Sequence, residues 1–173
     1  MGNRRMGLGR MEALLEAIDR ELTLTDSTIK NAAYIGFTKG TATSNVTAAM
    51  SGRTIIVGPL AAGLAGDSIF SLPTAADGLF YRFVYVGGAA DAQDFQINTG
   101  SDTNFFIGGT IQHDIGATAD NIATHPNLSS NSRINILTPD AGTWIEVYCD
   151  GTNWFYCGYV NSATNAAVTF ADQ

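Results

Sequence analysis

From residue 32 onward, hydrophobic and polar residues alternate along short segments, and no segment has the spacing of an amphipathic helix. The segments are rich in β-branched and aromatic residues and are separated by Gly, Asp, Asn and Pro, a pattern typical of strands and turns. Many short strands without intervening helices predict an all-β domain over 32–173, a jelly-roll-like antiparallel β-sandwich. The candidate strands are Ala32–Thr38, Thr43–Ala48, Arg53–Val57, Ser68–Leu72, Leu79–Val86, Phe95–Thr99, Asn104–Ile107, Arg133–Leu137, Thr143–Cys149, Asn153–Val160 and Val168–Phe170.

The clearest pair of strands is a hairpin near the C-terminal end. Thr143–Cys149 and Trp154–Val160 flank an Asp-Gly pair, which suits a turn that needs a positive φ. A two- or four-residue loop places the only cysteines, Cys149 and Cys157, on opposite faces of the sheet. A bulged register places them on one face but too far apart for a disulfide. We therefore predict two free thiols.

Gly108–Asn131 is the one long stretch without a clear strand pattern, and we expect a functional loop or a contact surface there. It contains both histidines, but no G-x-S-x-G motif accompanies them. The spacing of His113, Asp114 and His125 matches no structural zinc pattern. The oxygen-rich segment Asn98–Asn104 does not match an EF-hand loop and is explained equally well by turn chemistry. We predict no catalytic residue, no metal and no cofactor.

Residues 1–31 follow a different pattern and form a separate segment. Hydrophobic residues recur there at the spacing of one helix face, and acidic residues with Arg20 occupy the other side. The pattern predicts a Gly-rich arm, one amphipathic α-helix over about 9–22, and a linker over 23–28. The hydrophobic stripe consists of Met11, Leu14, Leu15, Ile18 and Leu22.

Charge separates the same two parts of the chain. The first ten residues contain Arg4, Arg5 and Arg10 and no acidic residue. From Thr41 onward, three basic residues stand against eleven acidic ones, a net charge of −8. An acidic body repels nucleic acid phosphates, whereas the basic arm suits an acidic protein surface. No nucleic acid partner is predicted.

The longest apolar run, Ile55–Gly66, contains Pro59 and is too short to span a bilayer, so no membrane partner is predicted. This run and the small residues of Gly87–Ala90 suit close packing at the axis of a closed homo-oligomer. Only 14% of the residues are charged, so a protein contact would desolvate few ions.

Aromatic residues of the C-terminal hairpin support an alternative function. Exposed aromatic rings on a β-sandwich can stack on sugar rings, although alternation places some of these residues in the core whichever face is buried. An exposed aromatic face would favour receptor or glycan binding. The residues concerned are Trp144, Tyr148, Trp154, Tyr156 and Tyr159.

Three segments resemble virion structural proteins of marine tailed bacteriophages, including cyanophages. They are Gly2–Leu22, Gly78–Gly87 with Asp91 and Asp94-Phe95, and Gly142–Trp154. The resemblance covers most of the chain, and its opening segment is the most specific part. It implies a capsid decoration (cement) protein, commonly a trimeric jelly roll on the outer surface of the capsid.

We therefore predict a non-enzymatic virion protein that stabilises the capsid. Its expected partners are the major capsid protein and further copies of itself in a homotrimer. A head-fibre or tail-associated receptor- or glycan-binding module is the alternative. The residues expected to bind the capsid are Arg4, Arg5, Arg10, Met11, Leu14, Leu15, Ile18 and Leu22.

Overall fold

The structure is a computed structural model that describes residues 34–37, 43–58, 64–88, 93–116, 121–128 and 130–173. The described chain is nearly all β, with 59% of its residues in strands and one short 3-10 helix at Ala48–Met50. This confirms the predicted all-β class. The strands, β1 to β12, are Tyr34–Phe37, Thr43–Asn45, Arg53–Val57, Ser68–Ser71, Asp77–Tyr85, Asp94–Asn98, Phe106–Asp114, Asn121–Leu128, Arg133–Leu137, Trp144–Asp150, Trp154–Ser162 and Val168–Ala171.

The strands form two sheets that pack face to face. The seven-stranded sheet has the order β1-β3-β5-β10-β11-β7-β8, and the five-stranded sheet has the order β12-β9-β6-β4-β2. Aromatic rings join the sheets across the core. The ring of Phe83 on β5 lies 5.4 Å from that of Phe70 on β4 and 5.8 Å from that of Phe95 on β6. The two packed sheets are thus a sandwich.

The prediction of purely antiparallel pairing is wrong, because both sheets are mixed. The first six strands alternate between the sheets, so β1, β3 and β5 are parallel neighbours in one sheet and β2, β4 and β6 in the other. Parallel neighbours need a crossover connection, which is usually a helix. Here each crossover runs through a strand of the opposite sheet. Antiparallel pairing joins β10 to β5 and β11, and β9 to β6.

The core between the sheets takes up part of the segment predicted to line an oligomer axis. Ile55 and Val57 are fully buried, and Leu64 is nearly so. The side chains of these residues pack inside their own chain and are not available for a contact between subunits. Residues 59–63 and 89–90 of the two segments proposed for that axis lie outside the described residues.

The described residues of Gly108–Asn131 lie mainly in two paired strands, so the expectation of a loop there is wrong, while the alternative expectation of a contact surface stays a prediction. The stretch completes β7 and forms β8, and the two strands pair along their length. Strand-breaking residues hid the pattern. Gly108 has a φ of 148°, and a Cβ at this position would overlap the carbonyl oxygen of Tyr156 on β11, so only glycine fits. Pro126 is tolerated because β8 is an edge strand.

Candidate functional site

The two sheets turn different surfaces outward. The outward side chains of the five-stranded sheet are mainly polar and bond to one another. Arg133 Nε donates to Asn98 Oδ1 at 2.9 Å, and Asn135 Nδ2 donates to Thr169 Oγ1 at 3.3 Å. Such a surface is typical of a sheet face in contact with water.

The outward face of the seven-stranded sheet carries two continuous apolar rows. The strand register places five residues side by side in each row, from β5 to β8 in the first and from β3 to β7 in the second. At roughly 4.8 Å between strands, each row is about 19 Å long. The first row is Phe80, Tyr148, Phe155, Ile107 and Leu128. The second row is Ile56, Val84, Trp144, Tyr159 and Ile111.

Aromatic rings are prominent in the first row. The rings of Phe80 and Tyr148 stack with centroids 5.6 Å apart and planes 12° apart. Tyr148 exposes 36% of its surface and Phe155, its neighbour on β11, exposes 40%. The Tyr148 hydroxyl lies 2.8 Å from Cys157 Sγ. This hydrogen bond and partial burial raise the pKa of Tyr148, so the hydroxyl stays uncharged.

The polar residues between the rows neutralise one another. Arg82 Nε lies 3.6 Å from Glu146 Oε1, and the guanidinium carbon of Arg82 lies 5.1 Å from the centroid of the Trp144 ring. One cation is therefore held by one carboxylate and one aromatic face. Because this pair cancels in charge, the face between the rows can meet another protein without leaving an ion unpaired.

The β7–β8 hairpin exposes the most apolar surface. Ile122 is 69% exposed and Leu128 81%, while Ile111 and Ile115 are 47% and 45% exposed. Ile122 lies opposite His113, so it is a diagonal neighbour of Ile111 on the same face. We call Ile111, Ile115, Ile122 and Leu128 the aliphatic patch.

The C-terminal hairpin explains which aromatic residues reach the outward face. Cys149 pairs with Trp154 around a four-residue turn in which Gly151 has a φ of 93°. The Asp150 carboxylate accepts hydrogen bonds from the backbone N–H groups of Thr152 and Asn153, which lowers the pKa of Asp150. This register determines, for each residue of the hairpin, which of the two faces of the sheet its side chain occupies.

The burial of the hairpin confirms the prediction that alternation divides its aromatic residues. Trp154 and Tyr156 are in the core, whereas Trp144, Tyr148 and Tyr159 belong to the outward rows. The same register confirms the cysteine prediction. Cys149 is buried, Cys157 is outward, and both are free thiols.

The two histidines lie on opposite faces of the seven-stranded sheet and therefore do not converge on one ligand. His113 is outward, and His125 points inward with its Nε2 atom buried and without a hydrogen-bond partner. Burial lowers the pKa of His125. Asp114 accepts a hydrogen bond from the backbone of Gly116. Within the described ranges, no three His, Cys, Asp or Glu side chains are grouped as metal ligands.

The oxygen-rich segment Asn98–Asn104 forms a turn that is stabilised by side-chain hydrogen bonds. The Thr99 hydroxyl donates to the carbonyl oxygen of Ser101, and the Ser101 and Thr103 hydroxyls are 2.9 Å apart. Asn104 Nδ2 donates to the Thr152 carbonyl. These bonds explain the composition of the segment as turn chemistry.

The residues predicted to bind the capsid, Arg4, Arg5, Arg10, Met11, Leu14, Leu15, Ile18 and Leu22, lie outside the described residues. Their roles remain predictions.

The sequence pattern did not reveal the apolar rows or the aliphatic patch. A period-two signal was present in β8, where residues 122, 124, 126 and 128 point outward, but Pro126 masked it. No helix in the described part of the chain is long and apolar enough to cross a bilayer. No protein-family model, curated protein or solved structure matches the chain.

Proposed function

We propose that this chain is a non-enzymatic virion structural protein, a capsid decoration (cement) protein on the outer surface of the capsid. The observation that carries the proposal is the contrast between the two sheet faces. One face is polar and suits water, and the other presents two apolar rows with an internally neutralised ion pair. Large apolar surfaces of this kind usually contact another macromolecule.

The proposed activity follows from the physics of repeated weak contacts. Each copy removes apolar surface from water at about 25 cal/mol per Å². Many copies on one lattice act together, because each bound copy holds neighbouring capsid subunits in place. The chain from Thr41 onward has a net charge of −8 and repels nucleic acid phosphates. We therefore place it on the outside of the capsid.

The proposal includes an N-terminal anchor and self-assembly. The N-terminal segment is proposed to bind the major capsid protein. It would do so through the positive charge of Arg4, Arg5 and Arg10 and through the hydrophobic stripe of the predicted amphipathic helix. A homotrimer is proposed from the family resemblance. The jelly-roll relationship also belongs to the proposal, with one departure. Jelly rolls are antiparallel, whereas β1 to β6 form parallel neighbours.

Co-sedimentation with purified phage heads that lack the chain tests the function. The intact chain is expected to pellet with the heads in a near one-to-one ratio with the major capsid protein. Leu14→Asp with Ile18→Asp should weaken binding at least tenfold by placing charge on the predicted stripe. Ala13→Asp, on the opposite side of that helix, is the matched control and should bind normally. Failure of the intact chain to pellet would contradict the proposal.

Glycan binding is the second candidate, and it is favoured by the exposed rings of Tyr148 and Phe155. Loss of such a ring typically costs about 1–3 kcal/mol of affinity where it stacks on a flat ligand. A glycan array followed by titration calorimetry of any positive sugar tests this candidate. Phe155→Ala should abolish the heat of binding if the rings form the site, and an array with no positive sugar would exclude it.

A further inference from the structure

His125 is the one titratable side chain of β8, and it points into the sandwich. The strand register places it opposite Thr110 of β7, on the inward face of the hairpin. Thr110 is only 2% exposed, and its Oγ1 atom has no hydrogen-bond partner. The buried Nε2 atom of His125 has none either. Two unpaired polar atoms therefore lie on paired residues of one hairpin, and each lowers the stability of its closed form.

The carboxylate of β7 lies too far away to hold a proton on His125. A buried imidazolium needs an acceptor for each of its two N–H groups, because an uncompensated buried charge is strongly unfavourable. Asp114 is the inward titratable residue of β7, but it lies four residues beyond Thr110, which is about 13 Å along a strand. His113 is on the outward face.

The other strands that pack against β8 also provide no counter-charge. On β11 the inward titratable residue is Tyr156, which donates its hydroxyl to the carbonyl oxygen of His125 at 3.2 Å. Burial raises the pKa of Tyr156, so the hydroxyl stays neutral. Strand β12 carries no titratable or charged side chain, and Asp172, which follows it, is exposed. Protonation of His125 would therefore place an unpaired cation between the sheets.

Strand β8 is held less firmly than its neighbours. It is an edge strand that pairs with β7 alone, and Asn127 is the only buried residue among its eight. Pro126 has no N–H group to donate to the pairing. Segments with few buried side chains open at a lower free energy than the core does. Opening of β8 therefore costs less than unfolding of the sandwich.

We infer that β8 is an acid-responsive flap, in which protonation of His125 releases residues 121–126 from β7. Asn127 is the hinge, because its Nδ2 atom donates to the carbonyl oxygen of Phe106 at 2.9 Å and keeps that end attached. Opening brings the imidazolium into water and leaves β7 as the edge of the sheet. An unpaired edge can pair with a further strand, so acid would expose a binding edge. The inference goes beyond the proposed function and does not depend on it.

The direction of the effect follows from proton linkage. In the open form His125 titrates near its ordinary pKa of 6.5, whereas burial lowers its pKa in the closed form. The open form therefore takes up the proton first, and the open fraction rises as the pH falls through 6.5 toward the pKa of the closed form. Between pH 7.5 and 5.5 the open fraction should rise by about twofold to tenfold, the upper limit being set by the ordinary pKa.

Hydrogen exchange of the full chain at pH 7.5 and 5.5, measured by mass spectrometry, tests the inference. The unfolded chain supplies the correction for the intrinsic effect of pH on exchange. Peptides that cover β8 should lose protection by that factor at pH 5.5, whereas peptides that cover β10 and β11 should keep theirs. His125→Gln should abolish the difference. Thr124→Gln is the matched control, because it places the same side chain at an exposed outward position of β8 and should retain the pH response.

Thr110→Val provides a test in the opposite direction, because a defect in folding cannot strengthen the hairpin. It removes the unpaired hydroxyl and keeps His125, so exchange in β8 should slow at both pH values while the pH response remains. Three results would overturn the inference: unchanged protection of β8 at pH 5.5, a His125→Gln variant that still responds, or an equal loss of protection in β8 and in β10 and β11. The last would show that acid unfolds the whole sandwich.

Discussion

Trp144 and Trp154 lie on adjacent strands of one hairpin and point to opposite faces of the seven-stranded sheet. Trp154 is fully buried against Tyr81, with ring centroids 6.0 Å apart, whereas Trp144 is half-buried on the outward face over Arg82. These two tryptophans, ten residues apart in the sequence, therefore have different roles. The inward one stabilises the fold, and the outward one belongs to the proposed contact face.

The two tryptophans should respond differently to substitution. Trp154→Ala should lower the free energy of unfolding by about 3–5 kcal/mol, because it leaves a cavity in a close-packed core. Trp144→Ala should cost about 1 kcal/mol, the scale of its interaction with Arg82, and should weaken particle binding more than folding. Chemical denaturation with head binding in parallel measures both. Equal losses of stability would contradict the assignment of faces.

The cysteines should behave as two unequal thiols. Denatured, unreduced protein should contain two free thiols per chain. In the folded protein Cys157 should react first with a thiol reagent, because Cys149 is buried and burial raises its pKa. Cys157→Ser should remove the fast reaction and leave the slow one. A count of zero thiols would contradict the register.

His125 should make the fold sensitive to acid. Burial lowers the pKa of His125 in the folded chain below its ordinary value of 6.5, so the unfolded chain takes up the proton first as the pH falls. The contribution of His125 is complete above pH 6.5 and is lost as the pH drops through 6.5 toward the folded pKa. His125→Gln should make the free energy of unfolding less dependent on pH between about 7 and 5 than it is in the parent chain. An unchanged slope in His125→Gln would contradict the burial of His125.

Alanine substitutions at two glycines should separate the cost of backbone strain from the cost of steric overlap. Gly52 has a φ of 82° and open space around the position of a Cβ, so Gly52→Ala should cost about 1 kcal/mol. Gly108→Ala should cost about 3 kcal/mol or more, because its Cβ would also overlap the Tyr156 carbonyl where β7 pairs with β11. Thermal unfolding of the two variants measures the difference. A Gly108→Ala variant as stable as Gly52→Ala would contradict this pairing.

The sequence pattern predicted which side chains are buried better than it predicted how the strands are connected and paired. Alternation correctly indicated that the aromatic residues of the hairpin divide between core and surface and that Cys149 and Cys157 lie on opposite faces, because a period of two fixes which side chains share a face. It gave no information about the direction of a neighbouring strand, and the parallel winding of β1 to β6 therefore differs from the prediction. β8 was missed because Pro126 indicates an edge or a break in any local reading. The apolar rows join residues from strands far apart in the chain, and only the sheet order reveals them.

The N-terminal segment should be separable from folding. Removal of residues 1–24 is expected to leave a β-protein that melts cooperatively and no longer binds phage heads. Circular dichroism and co-sedimentation measure the two properties. Arg4→Glu with Arg5→Glu in the full chain should weaken binding most at low salt, because ions screen exposed charges. Normal head binding by the truncated chain would locate the anchor on the sandwich, and loss of the melting transition would assign the segment to the core.

Quantitative mass spectrometry of purified virus particles measures whether this chain is a virion component at the copy number of a decoration protein. The measurement compares the molar amount of this chain with that of the major capsid protein in intact virions and in heads stripped of surface proteins. A decoration protein should be present in virions at a fixed, high ratio, near one-to-one, that falls sharply after stripping. Absence of the chain from virions, or only a few copies per particle, would contradict a decoration protein.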